Sequence, residues 1–239
     1  MSSLEVVSDS VMMGLSGDSE IFYIDRRESN KPNYFLNSKQ YRSDGRDGKF
    51  QTLACNKSNT HEFAVGTDYN VKIFDFRQVK PSYEIYHNFN HFRKRICSVS
   101  WSPNGKYIFV SDVAEMDNPS HGLDDIFFFW DVLNAEGVIS PQNITVEGTA
   151  NKFNWDYYRP EYTWIDDHMV VSSDREEGNF LYAMAPHSTT IKTIDEFDPN
   201  SVVLVDQLAY NQKTFQLAGA GVEHITIWSH YKLPPYPSP

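Results

Sequence analysis

A chain of 239 residues with 40% hydrophobic and 15% aromatic side chains can bury a sizeable core, which excludes global disorder. Its formal net charge of −11 argues against sequence-independent wrapping of nucleic acid, and no apolar run is long enough to span a bilayer as a helix. Residues 1–18 have no basic start and no uninterrupted apolar stretch, so no signal peptide is expected. Two well-separated cysteines, Cys55 and Cys97, suit a reducing compartment, the cytosol or nucleus, where the sequon Asn143-Ile144-Thr145 would stay unused. The charge is uneven: residues 1–95 carry 14 Lys/Arg against 12 Asp/Glu, and residues 96–239 carry 7 against 20. Such asymmetry fits faces that meet different partners, and equally an ordinary solvated surface.

Taken in chain order, the apolar segments repeat. Val11-Met12-Met13-Gly14-Leu15 runs through a polar turn into Glu20-Ile21-Phe22-Tyr23-Ile24-Asp25. Glu62-Phe63-Ala64-Val65-Gly66 does the same into Val71-Lys72-Ile73-Phe74-Asp75. Lys106-Tyr107-Ile108-Phe109-Val110-Ser111 leads, after a longer loop, to Ile126-Phe127-Phe128-Phe129-Trp130-Asp131. A turn Asp lies six residues before the strand-end apolar residue in all three: Asp18 and Ile24, Asp68 and Phe74, Asp124 and Trp130. The strand-end aspartates at 25, 75 and 131 set a period of roughly 50 residues. Weaker copies follow at Met169–Ser173 with Asn179–Met184, and at Phe215–Gly219 with His224–Trp228. A preceding strand also recurs, at Phe50–Asn56, Ile96–Ser102 and Val205–Asn211, and outer strands are expected at Tyr83–His87 and Thr189–Ile194. The first unit offers Leu4–Val7 in that inner place. Four short strands per repeat, with no helical periodicity over any useful length, predict an all-β chain of stacked four-stranded sheets.

This unit resembles the WD repeat. The third copy carries the resemblance best: His91, then Ile96-Cys97-Ser98-Val99-Ser100-Trp101-Ser102-Pro103, then Ser111, Asp124 and Trp130-Asp131. The resemblance implies a WD-repeat β-propeller and makes His91, Ser111, Asp124 and Trp130 candidates for the buried hydrogen-bond network that ties such a blade together, a structural role rather than a catalytic one. About five recognisable four-stranded blades are expected, over 1–40, 41–90, 91–148, 149–200 and 201–232, followed by a Pro-rich tail at 233–239. Closed rings of this family mostly have seven blades, so the expectation is part of a longer propeller or an incomplete ring. The tail, Leu233-Pro234-Pro235-Tyr236-Pro237-Ser238-Pro239, should be extended polyproline.

Propeller topology sorts the loops by face. On the face holding the turns after each third strand, two successive repeats end in Asp-x-Arg: Asp25-Arg26-Arg27 and Asp75-Phe76-Arg77. This resembles the WD-x-R motif of substrate receptors of cullin-RING ubiquitin ligases of the DNA-damage-binding adaptor type. The resemblance implies that Arg27 and Arg77 dock on the adaptor, with Asp25 and Asp75 orienting the turns. Arg suits the task because its planar fork holds several oxygen acceptors at once. The alternative is that each basic residue simply pairs with a neighbouring acid. Neither copy has Trp before the Asp, and the third repeat, Trp130-Asp131-Val132-Leu133, lacks the Arg.

On the opposite face, the insertion at 113–124 offers Glu115, Asp117 and His121, and the segments between blades offer Arg42, Arg46, Arg93 and Arg95 as contacts for a substrate or complex partner. Asp166-Asp167-His168, expected at a strand start, and Asp174-Arg175-Glu176-Glu177 read as solvated charge rather than a metal or acid–base site. Cys55 and Cys97 read as buried inert thiols, and Trp155, Tyr157, Tyr158, Tyr162 and Trp164 as packing aromatics. There is no phosphate-binding Gly-rich loop, no HExxH and no G-x-S-x-G. The expectation is a non-enzymatic protein-interaction scaffold of the nucleus or cytoplasm, with no cofactor, no metal, no membrane partner and no direct nucleic-acid binding. Its partners would be protein subunits: a ligase adaptor together with a substrate, or the other members of a nuclear chromatin or RNA-processing complex.

Overall fold

The structure is a computed structural model. It describes residues 3–29, 31–41, 49–68, 70–78, 81–86, 95–113, 127–134, 136–137, 145–147, 162–173, 180–186, 190–196, 207–211, 213–220 and 225–229. The chain divides into two compact units, one of Met1–Pro119 with Phe129–Glu136 and one of Ser120–Phe128 with Gly137–Pro239.

In the first unit, three sheets follow one another along the chain. The first holds β1 (Ser3–Val6), β2 (Val11–Leu15), β3 (Glu20–Asp25) and β4 (Asn33–Asn37) in sequence order. The second holds β5 (Thr52–Cys55), β6 (Glu62–Gly66), β7 (Asn70–Asp75) and β8 (Pro81–Tyr86), again in sequence order and antiparallel throughout. The third joins β9 (Arg95–Trp101), β10 (Tyr107–Val113), β11 (Phe127–Asp131) and β12 (Glu136–Gly137). Strands of this kind form because β-branched and aromatic residues fit a pleated surface covered on its faces. Every described side chain of β7 is buried, as befits a strand packed on both sides.

The sheets are held together face to face. Met13, Leu15, Ile21 and Leu36 of the first sheet pack with Leu53, Phe63, Val65 and Phe74 of the second, and the rings of Phe63 and Phe74 stack with centroids 5.2 Å apart. The second and third sheets also touch directly. The indole N–H of Trp101 on β9 donates to the carbonyl of Ala54 on β5, at 3.2 Å. A Cβ placed on Gly66 would lie 2.6 Å from the γ-methyl of Ile96 and 2.6 Å from that of Thr52. Both methyls belong to β-branched side chains with restricted χ1 rotation, so glycine is what this contact favours. Gly105, at a φ of +69°, serves a second need: it closes the β9–β10 turn in the left-handed region while lying against Asn56.

At one end of the second sheet a polar network takes the place of apolar packing. Thr67 Oγ1 donates to Asn70, whose amide reaches Glu84, and Glu84 also accepts from Lys72 at 3.2 Å. Lys72 is only 2% exposed, a burial tolerated because Glu84 stands directly opposite it on β8. In the third sheet the expected counterpart is not completed by described residues. The Ser111 hydroxyl and the Trp130 indole N–H are buried without a hydrogen-bond partner, while His91 and Asp124 lie outside the described residues.

In the second unit, β14 (Tyr162–Asp166), β15 (Met169–Ser173), β16 (Phe180–Met184) and β17 (Thr190–Glu196) form antiparallel neighbours, and β13 (Thr145–Glu147) adds a parallel strand beside β17. The sheet of β18 (Gln207–Asn211), β19 (Gln216–Ala220) and β20 (Ile225–Ser229) packs Leu217 on Ile165, Met169, Val171 and Ala183. The Asp166-Asp167-His168 triplet lies directly before β15, at the strand start expected of it, and Asp166 is also the last residue of β14. Asp166 Oδ1 accepts the His168 N–H at 2.7 Å, so the triplet is the hairpin turn.

Because this close contact favours glycine, Gly66→Ala should lower stability to urea by about 1–3 kcal/mol, the usual cost of overpacking a filled interior. Gly17→Ala, with nothing within 4 Å of the added methyl, should leave the unfolding midpoint unchanged. Equal midpoints for the two variants would contradict the close-contact account.

Candidate functional site

Three turns share one construction, each at the end of a third strand. After β3, the Arg27 N–H donates to Asp25 Oδ1 at 3.0 Å; after β7, the Arg77 N–H donates to Asp75 Oδ1 at 2.9 Å; after β11, the Leu133 N–H donates to Asp131 Oδ1 at 3.0 Å. An aspartate suits the place because its short carboxylate reaches the N–H two residues on and imitates a backbone turn. The residue between donates its own N–H back to the turn joining the first two strands of the same sheet. Arg26 reaches Ser10 O, Phe76 reaches His61 O and Val132 reaches Lys106 O, each at 2.9 Å. The two turns at this end of each sheet are thereby latched together.

The arginine side chains then fold onto the same carboxylates. Arg27 Nε donates to Asp25 Oδ1 at 2.9 Å and Nη2 to Oδ2 at 2.6 Å. Arg77 repeats the arrangement on Asp75, with Nε at 2.9 Å from Oδ1 and Nη2 on Oδ2. The pairs are two-pronged and charge-assisted, which fixes each guanidinium plane. The carboxylates are nearly covered, with side chains 9% and 10% exposed, whereas the arginine side chains are 70% and 59% exposed. The arginine hydrogen bonds hold both aspartates down to about 2, helped by the backbone N–H of the same residue. The same contacts raise both arginines further above their ordinary value. In the third sheet Asn134 substitutes, donating Nδ2 to Asp131 Oδ2 at 3.0 Å, and Leu133 stands where the arginine would be, 78% exposed.

These turns belong to sheets that neighbour one another in the first unit, so the structure brings the residues singled out for adaptor docking, Asp25, Arg27, Asp75 and Arg77, to one end of adjacent sheets. Arg42, Arg46, Arg93, Glu115, Asp117 and His121 lie outside the described residues, as do the 174–177 cluster, Trp155, Tyr157 and Tyr158. Arg95 opens β9 opposite Val113, and its side chain is likewise outside the description. Cys55 is buried against Met13 Sδ at 3.8 Å, and desolvation pushes its thiol up to about 12, leaving no reactive thiolate. Among the described residues no group of three His, Cys, Asp or Glu side chains could hold a metal ion. Sequence reasoning passed over Phe76 and Leu133, the exposed apolar residues of these turns; their place beside a strand-end aspartate was the available signal.

Solved structures align along 96% of the chain. One is a chain of the crystal structure of the mitotic checkpoint complex, 16% identical with a TM-score of 0.64. Another is the β-propeller domain of Cps50 (Swd1) from Myceliophteria thermophila, 13% identical with a TM-score of 0.58. The fold is a β-propeller. The chain spans 61% of the length of the checkpoint-complex chain and 70% of the Cps50 domain. No family model and no curated protein matches the sequence. The three four-stranded sheets of the first unit have the strand order of propeller blades, and in each the latched turn joins the connection after the third strand to the turn between the first and second strands.

The depressed carboxylates fix a pH dependence. A folded pKa below the unfolded one stabilises the fold above the ordinary aspartate value, and that contribution is lost as pH falls toward the folded value. The Asp25→Asn, Asp75→Asn double variant should therefore be less stable than wild type near neutrality, with the difference shrinking from about pH 4 down to about pH 2. Urea unfolding across that range reads it, and a difference independent of pH would show that the ion pairs do not contribute.

Proposed function

We propose that this propeller is a non-catalytic protein-interaction scaffold serving as a substrate receptor of a cullin-RING ubiquitin ligase, docked on the DNA-damage-binding adaptor through Arg27 and Arg77. The reading starts from the fold, which the chain shares with propeller subunits of protein complexes. The observation that carries it is the tandem turn: two adjacent blades hold the same Asp-x-Arg sequence in the same latched geometry. In each, the aspartate is spent on local structure while the guanidinium stays exposed. An arginine held in one orientation before the partner arrives loses little side-chain freedom on binding, so a fixed fork is a better docking element than a mobile one. Arg42, Arg46, Arg93, Arg95, Glu115, Asp117 and His121 remain the proposed contacts for the substrate. The chain would act in the nucleus or cytoplasm, where its thiols stay reduced.

One observation favours a second reading, a scaffold subunit of a nuclear chromatin or RNA-processing complex. Each guanidinium already closes on its own aspartate, which is reason enough for the arginine to be there. The two readings part on the adaptor. In the first, the full chain captures the purified adaptor and the Arg27→Ala, Arg77→Ala double variant loses that capture while still unfolding cooperatively, at a midpoint lowered by the lost Asp–Arg pairs. Retained capture by the double variant would remove the docking role, and recovery of a stable assembly without any cullin would favour the second reading.

A further inference from the structure

The latched turn recurs in a third blade with an apolar residue in the arginine's place. Leu133 holds the position after Asp131 that Arg27 and Arg77 hold after Asp25 and Asp75, by the same backbone N–H to carboxylate bond. At 78% exposure it is the most exposed of the large hydrophobic side chains in the described part of the first unit. Phe76, between Asp75 and Arg77, is also exposed, and it is held in place by the His61 ring, with centroids 5.0 Å apart, and by its N–H on His61 O. A partner meeting the two arginines along this face therefore also meets Phe76 and Leu133.

The charge on these turns is equally informative. Each guanidinium gives Nε–H and one Nη2 hydrogen to a carboxylate of its own turn, so each Asp–Arg unit is neutral as a whole. What remains for a partner is Nη1 and the outer hydrogen of Nη2, a planar pair of donors without a net charge behind it. A neutral acceptor, a backbone carbonyl that a turn or helix end leaves unpaired, matches such donors without bringing an unbalanced charge into the interface.

We infer that the docking edge extends across the third blade and that its two arginine forks act as neutral Asp–Arg units: the adaptor offers backbone carbonyls to Arg27 and Arg77 and packs an apolar side chain against Phe76 and Leu133. This rests on the adaptor-docking reading and adds to it the chemistry of the contact. An acidic patch on the partner is the competing chemistry. The two differ in salt dependence, because a charged contact is screened and a neutral one is not.

The experiment is the affinity of the full chain for the purified adaptor, measured between about 0.05 and about 0.5 M NaCl. It compares wild type, Leu133→Asp, Leu133→Arg and the Arg27→Ala, Arg77→Ala double variant. The inference expects the wild-type affinity to change less than about threefold over that range, and both Leu133 variants to weaken binding by about tenfold or more. Thermal unfolding of the Leu133 variants should match wild type, since the side chain is exposed. Wild-type affinity that falls more than about tenfold with salt would overturn the neutral Asp–Arg units. Unchanged binding by Leu133→Asp, with loss in the double arginine variant, would overturn the third-blade contact and leave the docking reading standing. Stronger binding by Leu133→Arg would also overturn it, since the edge would then be reading arginines alone. No binding by wild type would remove the docking reading, and this inference with it.

Discussion

A buried strand-end carboxylate is the constraint on which this face of the molecule depends. Asp25, Asp75 and Asp131 are 7%, 7% and 2% exposed, and each accepts backbone N–H groups and a side-chain donor. A carboxylate can be covered in this way only if its lone pairs are filled. The cheapest donors are those of its own turn, so the chain must curl back within two residues of the strand end. That curl places the intervening N–H against the neighbouring turn and sets the orientation of whatever side chain follows. Structure and proposed function therefore share one device. The aspartate serves the fold, and the side chain two positions on stays exposed.

The blades behind these turns supply the rigidity that such a device needs. Interdigitated apolar faces join the first blade to the second, and a glycine contact and an interblade indole hydrogen bond join the second to the third. At the far end of the second blade the Thr67–Asn70–Glu84–Lys72 network fixes the hairpin by polar means. A side chain fixed on such a support presents a defined donor geometry, which is how a short turn becomes a recognition element.

Much of this was legible in the sequence, and the reasons are local. The hairpins of β2–β3, β6–β7, β15–β16 and β19–β20 announce themselves by apolar runs on either side of short polar turns. The outer strands β8 and β17 fall within a few residues of their expected places. The strand β4, Asn33-Tyr34-Phe35-Leu36-Asn37, and the inner strand β14 were not read: in β14 the aromatics Tyr162 and Trp164 registered only as packing residues. The parallel pairing of β13 with β17 joins residues far apart in the chain, and no local pattern encodes it. The Asp-x-Arg turns were visible as a motif, and folding the arginine onto its own aspartate was foreseeable as the simplest pairing. Leu133 registered only as a missing arginine. That it occupies the same position in the same latched turn is a fact of backbone geometry, and it became visible only with the hydrogen bonds of Asp131.

The account turns on which face of the propeller meets the adaptor, and amide hydrogen exchange of the full chain with and without that protein measures it directly. Slowed exchange in the turns at 25–29, 75–78 and 131–134, with the hairpin turn at 67–70 unchanged, is the predicted result. Slowed exchange at 67–70 with the three Asp turns unaffected would contradict it, because the partner would then sit on the opposite face and the tandem arginines would be no more than structural.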